Sequence, residues 1–460
     1  MTLIKSISGI RGTIGGKTSD NLTPLDTVLF TSAYASWLKN SQDAKHYKVV
    51  VGRDARISGS MIQGLVNQTL VGFGIEVLDV GLSTTPTVEM SVTQHLAHGG
   101  IIITASHNPK QWNALKLLNE KGEFLNAASG KAVLEIAEKK DFEYASIDNL
   151  GKVISVKGAI EDHVQKVLDL SLVNAEGIRH KKFKVVVDAV NSTGGIAIPL
   201  LLEALGVTCI PIYCDPTGHF PHNPEPLKEH LTALSEKVVA ENADFGIVVD
   251  PDVDRLAFVD ENGAVFGEEY TLVACSDYIL SKTPGDTVSN LSSTRALSDI
   301  TQRRDGVYYA SAVGEVNVVE KMKEVKAIIG GEGNGGIIYP DLHYGRDALV
   351  GVALFLSLLT ENNQKVSELR ASYPDYAMSK AKVSLSEGMD VDALLKEVEK
   401  KYSEKNPDTI DGVKIAFESS WVHLRKSNTE PIIRVYTEAK NQKEANELAE
   451  RFLREIEEMV

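Results

Sequence analysis

Three times along this chain an apolar run rich in β-branched residues leads through a short loop into a helical stretch and out into a second apolar run. That repetition restricts the fold more than any other feature. YKVVVGRD (Tyr47 to Asp54) is followed by a helical stretch and GIEVLDVG (Gly74 to Gly81). FKVVVDAV (Phe183 to Val190) leads to IAIPLLLEALG and VTCIPIYC, and DTVSNLSST (Asp286 to Thr294) leads to ALSDITQRRDG and VYYASAVG. Strand, loop, helix and strand in that order pack as a right-handed βαβ unit in a parallel or mixed sheet. Three similar α/β domains are expected.

The last ninety or so residues break the pattern. GVKIAFE, SWVHLRKS and PIIRVYTE read as strands bounded by polar turns. A final helix places Ala445, Leu448, Ala449, Phe452, Ile456 and Met459 on one face, and Asn441 with Glu444 three residues on forms a capping box for it. The expected division is 1–155, 156–265 and 266–370 for the three α/β domains and 371–460 for a small α+β domain.

Size supports several cores, since 460 residues with 43% hydrophobic content exceed what one core holds. A net charge of -15 without a basic block argues against nucleic acid or an anionic membrane as the main partner. Cys209, Cys214 and Cys275 lack metal-type spacing and lie in apolar stretches, which reads as buried reduced thiols in a cytosolic protein. The start MTLIKSISGIRG has no signal-peptide apolar region. The longest apolar run, Ala348 to Leu359, is bounded by Asp347 and Thr360 and reads as a buried helix, too short to span a membrane.

Two motifs far apart in sequence suggest one chemistry. In TASHNP, the run GGIIIT delivers Ser106 at the end of a strand, where α/β folds present reactive groups, and Asn108-Pro109 stiffens the turn. In DPDVDR, Asp250, Asp252 and Asp254 alternate, so an extended loop would put three carboxylates on one side, as a hard divalent cation requires. Serine and carboxylates together suggest metal-assisted phosphoryl transfer.

Other readings stay open at this level. Ser106 also fits a plain turn; a Ser-His hydrolase using His107 lacks the G-x-S-x-G elbow. An EF-hand would match D-x-D-x-D and Glu261, yet Arg255 stands where its glycine belongs, and strands flank the motif. A dehalogenase-type phosphotransferase, with Asp250 as nucleophile and Asp252 as acid/base, fits FGIVVDPDV but explains neither Asp254 nor TASHNP.

Two later loops carry ligand-type groups. GEGNGG (Gly331 to Gly336) follows the strand KAIIG and offers Glu332 and Asn334 to sugar hydroxyls, unless it is only a tight turn. RKSNTEPIIR places Arg425 and Arg434 around Ser427, Asn428 and Thr429, a set suited to phosphate oxygens, unless it is a solvated loop.

Taken in order, GIRG, TASHNP, DPDVDR, the G-E-x-x-G loop and RKSNTEP resemble the α-D-phosphohexomutase superfamily of phosphoglucomutases, phosphomannomutases and phosphoglucosamine mutases. The resemblance covers essentially the whole chain. It implies four domains around a central cleft and a mutase that interconverts hexose 6-phosphate and hexose 1-phosphate. Ser106 would carry the phosphoryl group through a hexose 1,6-bisphosphate intermediate, and Ser106, Asp250, Asp252 and Asp254 would hold Mg²⁺. Lys116, ten residues after the serine, would exchange a proton with the sugar hydroxyl. Arg11 and His107 join the catalytic set, and Arg255, Glu332, Asn334, Arg425, Ser427, Asn428, Thr429 and Arg434 the substrate-binding set.

This sequence also departs from the family pattern. Many members carry serine in G-E-x-S-G and histidine after it, where this chain has Asn334 and Gly336, which leaves His343 in DLHYGRD as a nearby candidate for the second acid/base. VGEVNVVEKM, GEGNGG, Lys426 and Glu430 resemble the phosphoglucosamine mutase branch, while Asn428 resembles manno/gluco mutases. The implied partner is a phosphosugar, handled by a cytoplasmic monomer or homodimer.

Overall fold

The computed structural model describes residues 2–6, 9–384, 390–426 and 432–459. They form two compact units, one of Met1–Thr271 with Gly335–Ser367 and the other of Leu272–Asn334 with Glu368–Val460.

The first unit opens with a seven-stranded mixed sheet. Its strands run Ile4–Ser6, Gly9–Thr13, Trp112–Leu118, Gly99–Ile103, Lys48–Arg53, Glu76–Leu82 and Val153–Ser155 across the sheet. Lys48–Arg53 is parallel to both Glu76–Leu82 and Gly99–Ile103, whereas Trp112–Leu118 runs antiparallel to Gly99–Ile103. Central strands buried on both faces explain the unbroken apolar runs. Val49, Val51, Ile101 and Ile103 join one cluster, with Phe30 and Leu38 of helix Pro24–Ser41 and Ile62 and Val66 of helix Gly59–Gly72. Val50 and Ile102 join another, with Val88 and Val92 of helix Thr85–Gln94.

A second sheet of the same unit runs Leu256–Asp260, Phe245–Val249, Lys184–Asp188, Thr208–Ile212. Its last three strands are mutually parallel, and Leu256–Asp260 is antiparallel to Phe245–Val249. The apolar run Ala348 to Leu359 is buried throughout within helix Ala348–Asn362. Phe355 stacks on Phe258 with ring centroids 3.8 Å apart. Such all-round apolarity marks an internal helix.

In the second unit, Thr287–Asn290 lies between Tyr308–Ser311 and Ile329–Glu332, all parallel. An antiparallel sheet follows, ordered Ala377–Ser384, Ile432–Ala439, Trp421–Lys426, Val413–Ala416. Ala377–Ser384 is a fourth strand that was not expected from the sequence, because AMSKAKVS holds a single β-branched residue, Val383, and lies at the sheet edge where few of its residues are buried. Phe452 and Ile456 of helix Gln442–Met459 pack into this sheet's core with Ile433 and Val435. The cap is present with one change. Asn441 Oδ1 accepts from the Glu444 amide at 3.0 Å, but Glu444 Oε1 accepts from the Asn441 side-chain amide, at 2.7 Å, in place of its backbone.

All three cysteines are free thiols, but only Cys275 is buried; Cys209 and Cys214 are half-buried. Among the described residues no helix is long and apolar enough to cross a membrane.

Candidate active site

The buried strand Gly99–Ile103 leads through Thr104 and Ala105 to Ser106, whose φ of +48 is a left-handed conformation uncommon for a residue with a Cβ. The Ser106 amide donates to Thr104 Oγ1 at 2.9 Å, and that hydroxyl donates to Asp54 Oδ2 at 2.7 Å. Arg56, which is fully buried, completes the frame. Its Nη2 donates to the carbonyls of Ser106 (2.5 Å) and Asn108 (2.6 Å), its Nη1 to those of Pro109 (2.8 Å) and Trp112 (3.0 Å), and its Nε to Asp54 Oδ2 (3.0 Å). The Asn-Pro turn was expected to hold the serine; the planar fork of one guanidinium binds four carbonyls of the same loop. Arg56 is marked in the sequence only by a charged pair, Asp54 and Arg56, directly after the strand Lys48–Arg53, and so escaped notice there.

The strand Phe245–Val249 delivers the acidic motif, although not by the expected alternation. The segment is a tight turn, with the Val253 amide donating to the Asp250 carbonyl at 3.1 Å and Val253 itself at φ +64. Asp250 Oδ1 accepts from the amides of Asp254 and Arg255, both at 3.1 Å. This curl brings one carboxylate oxygen from each of Asp250, Asp252 and Asp254 within 4.8 Å of the others, all buried. An EF-hand is excluded by the two flanking strands.

The serine and the carboxylates meet. Ser106 Oγ donates to Asp250 Oδ2 at 2.8 Å. Lys116 comes from strand Trp112–Leu118, opposite Ile102 of the serine's own strand. Its Nζ lies 2.7 Å from Asp252 Oδ2 and 3.3 Å from Asp254 Oδ2. Arg346, another residue missed from sequence, sits 2.7 Å from Asp254 Oδ2, and Thr85 Oγ1 donates to Asp252 Oδ2 at 2.6 Å.

Electrostatics separates Asp250 from Asp252. Burial, with Asp254 and Asp252 as like-charged neighbours, pushes Asp250 well above the ordinary carboxylate range. Burial acts the same way on Asp252, but Lys116 and the Thr85 hydroxyl outweigh it and hold Asp252 low. Burial would pull Lys116 down; Asp252 and Asp254 override it and raise the ammonium's pKa. Asp252 Oδ1 and Asp254 Oδ1 are buried with no hydrogen-bond partner among the described residues. Two carboxylate oxygens without hydrogen bonds, Asp254 Oδ1 with Arg255 Nε 4.0 Å away, beside a third carboxylate and a hydroxyl suit an oxygen-preferring divalent cation.

The remaining expected groups fall at varied distances from this chemistry. His107 Nδ1 lies 3.5 Å from Ser106 Oγ, a weak contact, and burial followed by the Arg255 charge drives this imidazole well below its usual pKa. Arg255 Nη1 pairs with Glu225 Oε1 at 3.0 Å. Arg11, opposite Ala114 in the sheet, is pulled below the ordinary guanidinium pKa by burial and by Arg255. His343 is not an exposed histidine: its Nδ1 is 3.4 Å from Glu89 Oε2 and its Nε2 3.2 Å from Asp347 Oδ2, which also meets His163 Nε2 at 2.8 Å.

In the second unit, Glu332 ends the buried strand Ile329–Glu332. Its Oε1 accepts from Asn290 Nδ2 at 2.9 Å and from the Gly314 amide at 3.1 Å. Asn334 Nδ2 lies 3.5 Å from Glu332 Oε2. Arg425 and Arg434 face each other as register partners on neighbouring strands. Arg425 Nε lies 2.8 Å from Asp411 Oδ2, and Arg434 Nη1 lies 3.5 Å from the Tyr436 hydroxyl. Ser427, Asn428 and Thr429 lie outside the described residues.

Comparison with known proteins matches the chain in four successive segments. Residues 3–144, 161–263 and 267–376 match alpha/beta/alpha domains I, II and III of phosphoglucomutase/phosphomannomutase, and 380–455 match its C-terminal domain. A phosphoglucomutase/phosphomannomutase of Thermococcus kodakarensis is 35% identical over 453 residues, 97% of this chain and 98% of that one. A phosphoglucosamine/phosphogalactosamine mutase of Sulfurisphaera tokodaii is 31% identical over 456 residues, 98% of each chain. A Burkholderia thailandensis phosphoglucomutase/phosphomannomutase family structure, 24% identical, shares the fold with a TM-score of 0.84 over 98% of this chain and 97% of that one. Four matched domains and relatives above 30% identity over nearly the whole chain place this protein in the phosphoglucomutase/phosphomannomutase family of isomerases.

Proposed function

We propose that this chain interconverts glucosamine 6-phosphate and glucosamine 1-phosphate through a phosphoserine at Ser106 and a bound hexose 1,6-bisphosphate. The observation that carries the proposal is the 2.8 Å contact between Ser106 Oγ and Asp250 beside the buried carboxylate cluster. In the forward step the phosphoryl group leaves Ser106 Oγ for the free sugar hydroxyl. After the bisphosphate reorients, its other phosphoryl group returns to Ser106, so no phosphate is gained or lost.

Asp250, Asp252 and Asp254, with an oxygen at Ser106, would hold Mg²⁺, which would supply Lewis-acid polarisation of the phosphoryl oxygens. Lys116, whose ammonium form Asp252 and Asp254 stabilise, would exchange a proton with the sugar hydroxyl. Arg425 and Arg434 bind the phosphate that is not being transferred, with Ser427, Asn428 and Thr429. Glu332 and Asn334 bind sugar hydroxyls, and Arg11, His107 and Arg255 supply cationic or polar surroundings to the phosphoryl group. We assign these roles to domains divided near residues 155, 265 and 370, in a cytoplasmic monomer or homodimer.

The amino sugar is favoured by VGEVNVVEKM and GEGNGG and by the phosphoglucosamine mutase names of several relatives. A mannose or glucose phosphate substrate is the second reading, favoured by the name of the Thermococcus relative. Side-by-side kcat/KM with glucosamine, mannose and glucose 6-phosphates tests the choice. One charge-assisted contact to the C2 ammonium would favour glucosamine by roughly ten- to a hundredfold. A preference for mannose or glucose phosphate overturns the substrate and leaves the mutase chemistry. For the chemistry, label on Ser106 should survive acid and hydroxylamine, and label on Asp250 removed by hydroxylamine would replace it with an aspartyl-phosphate mechanism.

A further inference from the structure

The second unit holds a chain of contacts that joins the phosphate-binding and sugar-binding candidates through a residue with no assigned role. Asp411 lies in the turn before strand Val413–Ala416. Its Oδ2 sits 2.8 Å from Arg425 Nε and accepts from the Val313 amide at 2.9 Å. The next amide, that of Gly314, donates to Glu332 Oε1 at 3.1 Å. Two consecutive amides are thus divided between two carboxylates, Asp411 on one side and Glu332 on the other. Gly314 has φ +117, a backbone state open to glycine and strained for other residues, so this turn has little freedom to choose different partners.

The Asp411 backbone is held as firmly as its side chain. Its carbonyl accepts from His423 Nε2 at 2.6 Å, while His423 Nδ1 meets Ser292 Oγ at 2.9 Å. A carbonyl can only accept, so Nε2 carries the proton; burial lowers the His423 pKa to about 4, which leaves Nδ1 bare to accept from Ser292. A neutral buried histidine therefore ties Asp411 to the loop after strand Thr287–Asn290. Arg425 Nε is close to Asp411 in charge but not aligned as a hydrogen bond. The carboxylate holds the guanidinium by charge at Nε, and the two Nη groups are a pair of donors suited to phosphate oxygens.

We propose that Asp411 is a positioning residue that sets the span between Arg425 and Glu332, and so selects hexose monophosphates of one phosphate-to-hydroxyl distance. The proposal rests on the reading of Arg425 as phosphate-binding and Glu332 as hydroxyl-binding. A phosphate without the sugar engages Arg425 alone and does not feel the span. A hexose 6-phosphate must satisfy both ends at once.

The test uses the full chain in a Ser106→Ala background, which prevents turnover, titrated calorimetrically with glucose 6-phosphate and with inorganic phosphate. Arg425→Ala should weaken both ligands by roughly tenfold or more. Asp411→Asn should weaken glucose 6-phosphate by about tenfold and inorganic phosphate by less than about threefold. Asp411→Glu restores the charge on a longer arm, and it should stay impaired. With Ser106 intact, Asp411→Asn should raise KM and spare kcat, a split that general loss of structure would not produce. The proposal fails if Asp411→Glu matches wild type, if Asp411→Asn weakens both ligands equally, or if it changes neither. Unaltered binding of both ligands by Arg425→Ala would instead overturn the phosphate-binding reading beneath it.

Discussion

The Arg56 guanidinium donates through Nη2 to the main-chain carbonyl of Ser106 at 2.5 Å, and the rest of its fork binds the same loop and Asp54. A serine at φ +48 is kept in place by a cation fifty residues earlier in the chain. Lysine, a point charge with three donors and no planar fork, cannot reproduce this pattern. Arg56→Lys should lower kcat by roughly ten- to a hundredfold while KM stays within about threefold. Steady-state kinetics on protein with unchanged circular dichroism would check this. A variant with wild-type kcat would show that the turn holds itself.

The Asp252 and Asp254 oxygens without hydrogen bonds predict a thermal effect of cations independent of turnover. Mg²⁺ at about a hundred times its Kd should stabilise the first unit by roughly 2.7 kcal/mol. Asp254→Asn should reduce the Mg²⁺-induced rise in Tm. Calorimetric scans with Mg²⁺ and with EDTA measure it. An identical rise in wild type and Asp254→Asn would place the cation elsewhere.

His222 predicts a pH dependence. Its Nε2 lies 2.9 Å from Asp188 Oδ2 and its Nδ1 donates to the Asn223 carbonyl at 2.8 Å, so both nitrogens suit a charged ring. Burial opposes the charge, but the Asp188 hydrogen bond and charge outweigh it and raise the pKa. The stabilisation is therefore complete below the unfolded value of about 6.5 and is lost as pH rises through the higher folded value. The Tm difference between wild type and His222→Gln should be largest in acid and shrink toward about pH 9. A difference constant across that range would rule out the charged pair.

Glu332 Oε1 accepts from Asn290 and the Gly314 amide and Oε2 lies 3.5 Å from Asn334 Nδ2, so the carboxylate is fixed in place, as a group reading hydroxyls common to all hexose phosphates would be. Glu332→Ala should depress kcat/KM for glucosamine, mannose and glucose 6-phosphates together by about tenfold or more, without reordering them. A reordered ranking would mean that this residue reads C2.

Sequence alone determined the elements whose cause is local. The three strand–helix–strand repeats, the buried helix at Ala348 and the Asn441 cap follow from apolar period and turn chemistry, which act over a few residues. Ser106 and the three aspartates were legible because each motif carries unusual chemistry within a few positions. Tertiary structure decided what meets what. The DPDVDR turn, curled by the left-handed Val253, brings three carboxylates together where alternation in an extended loop would have spread them along the chain. Arg56, Arg346 and Asp411 look like ordinary surface charges in sequence, because their partners, and for the two arginines the cost of burial that those partners offset, exist only once distant strands have packed.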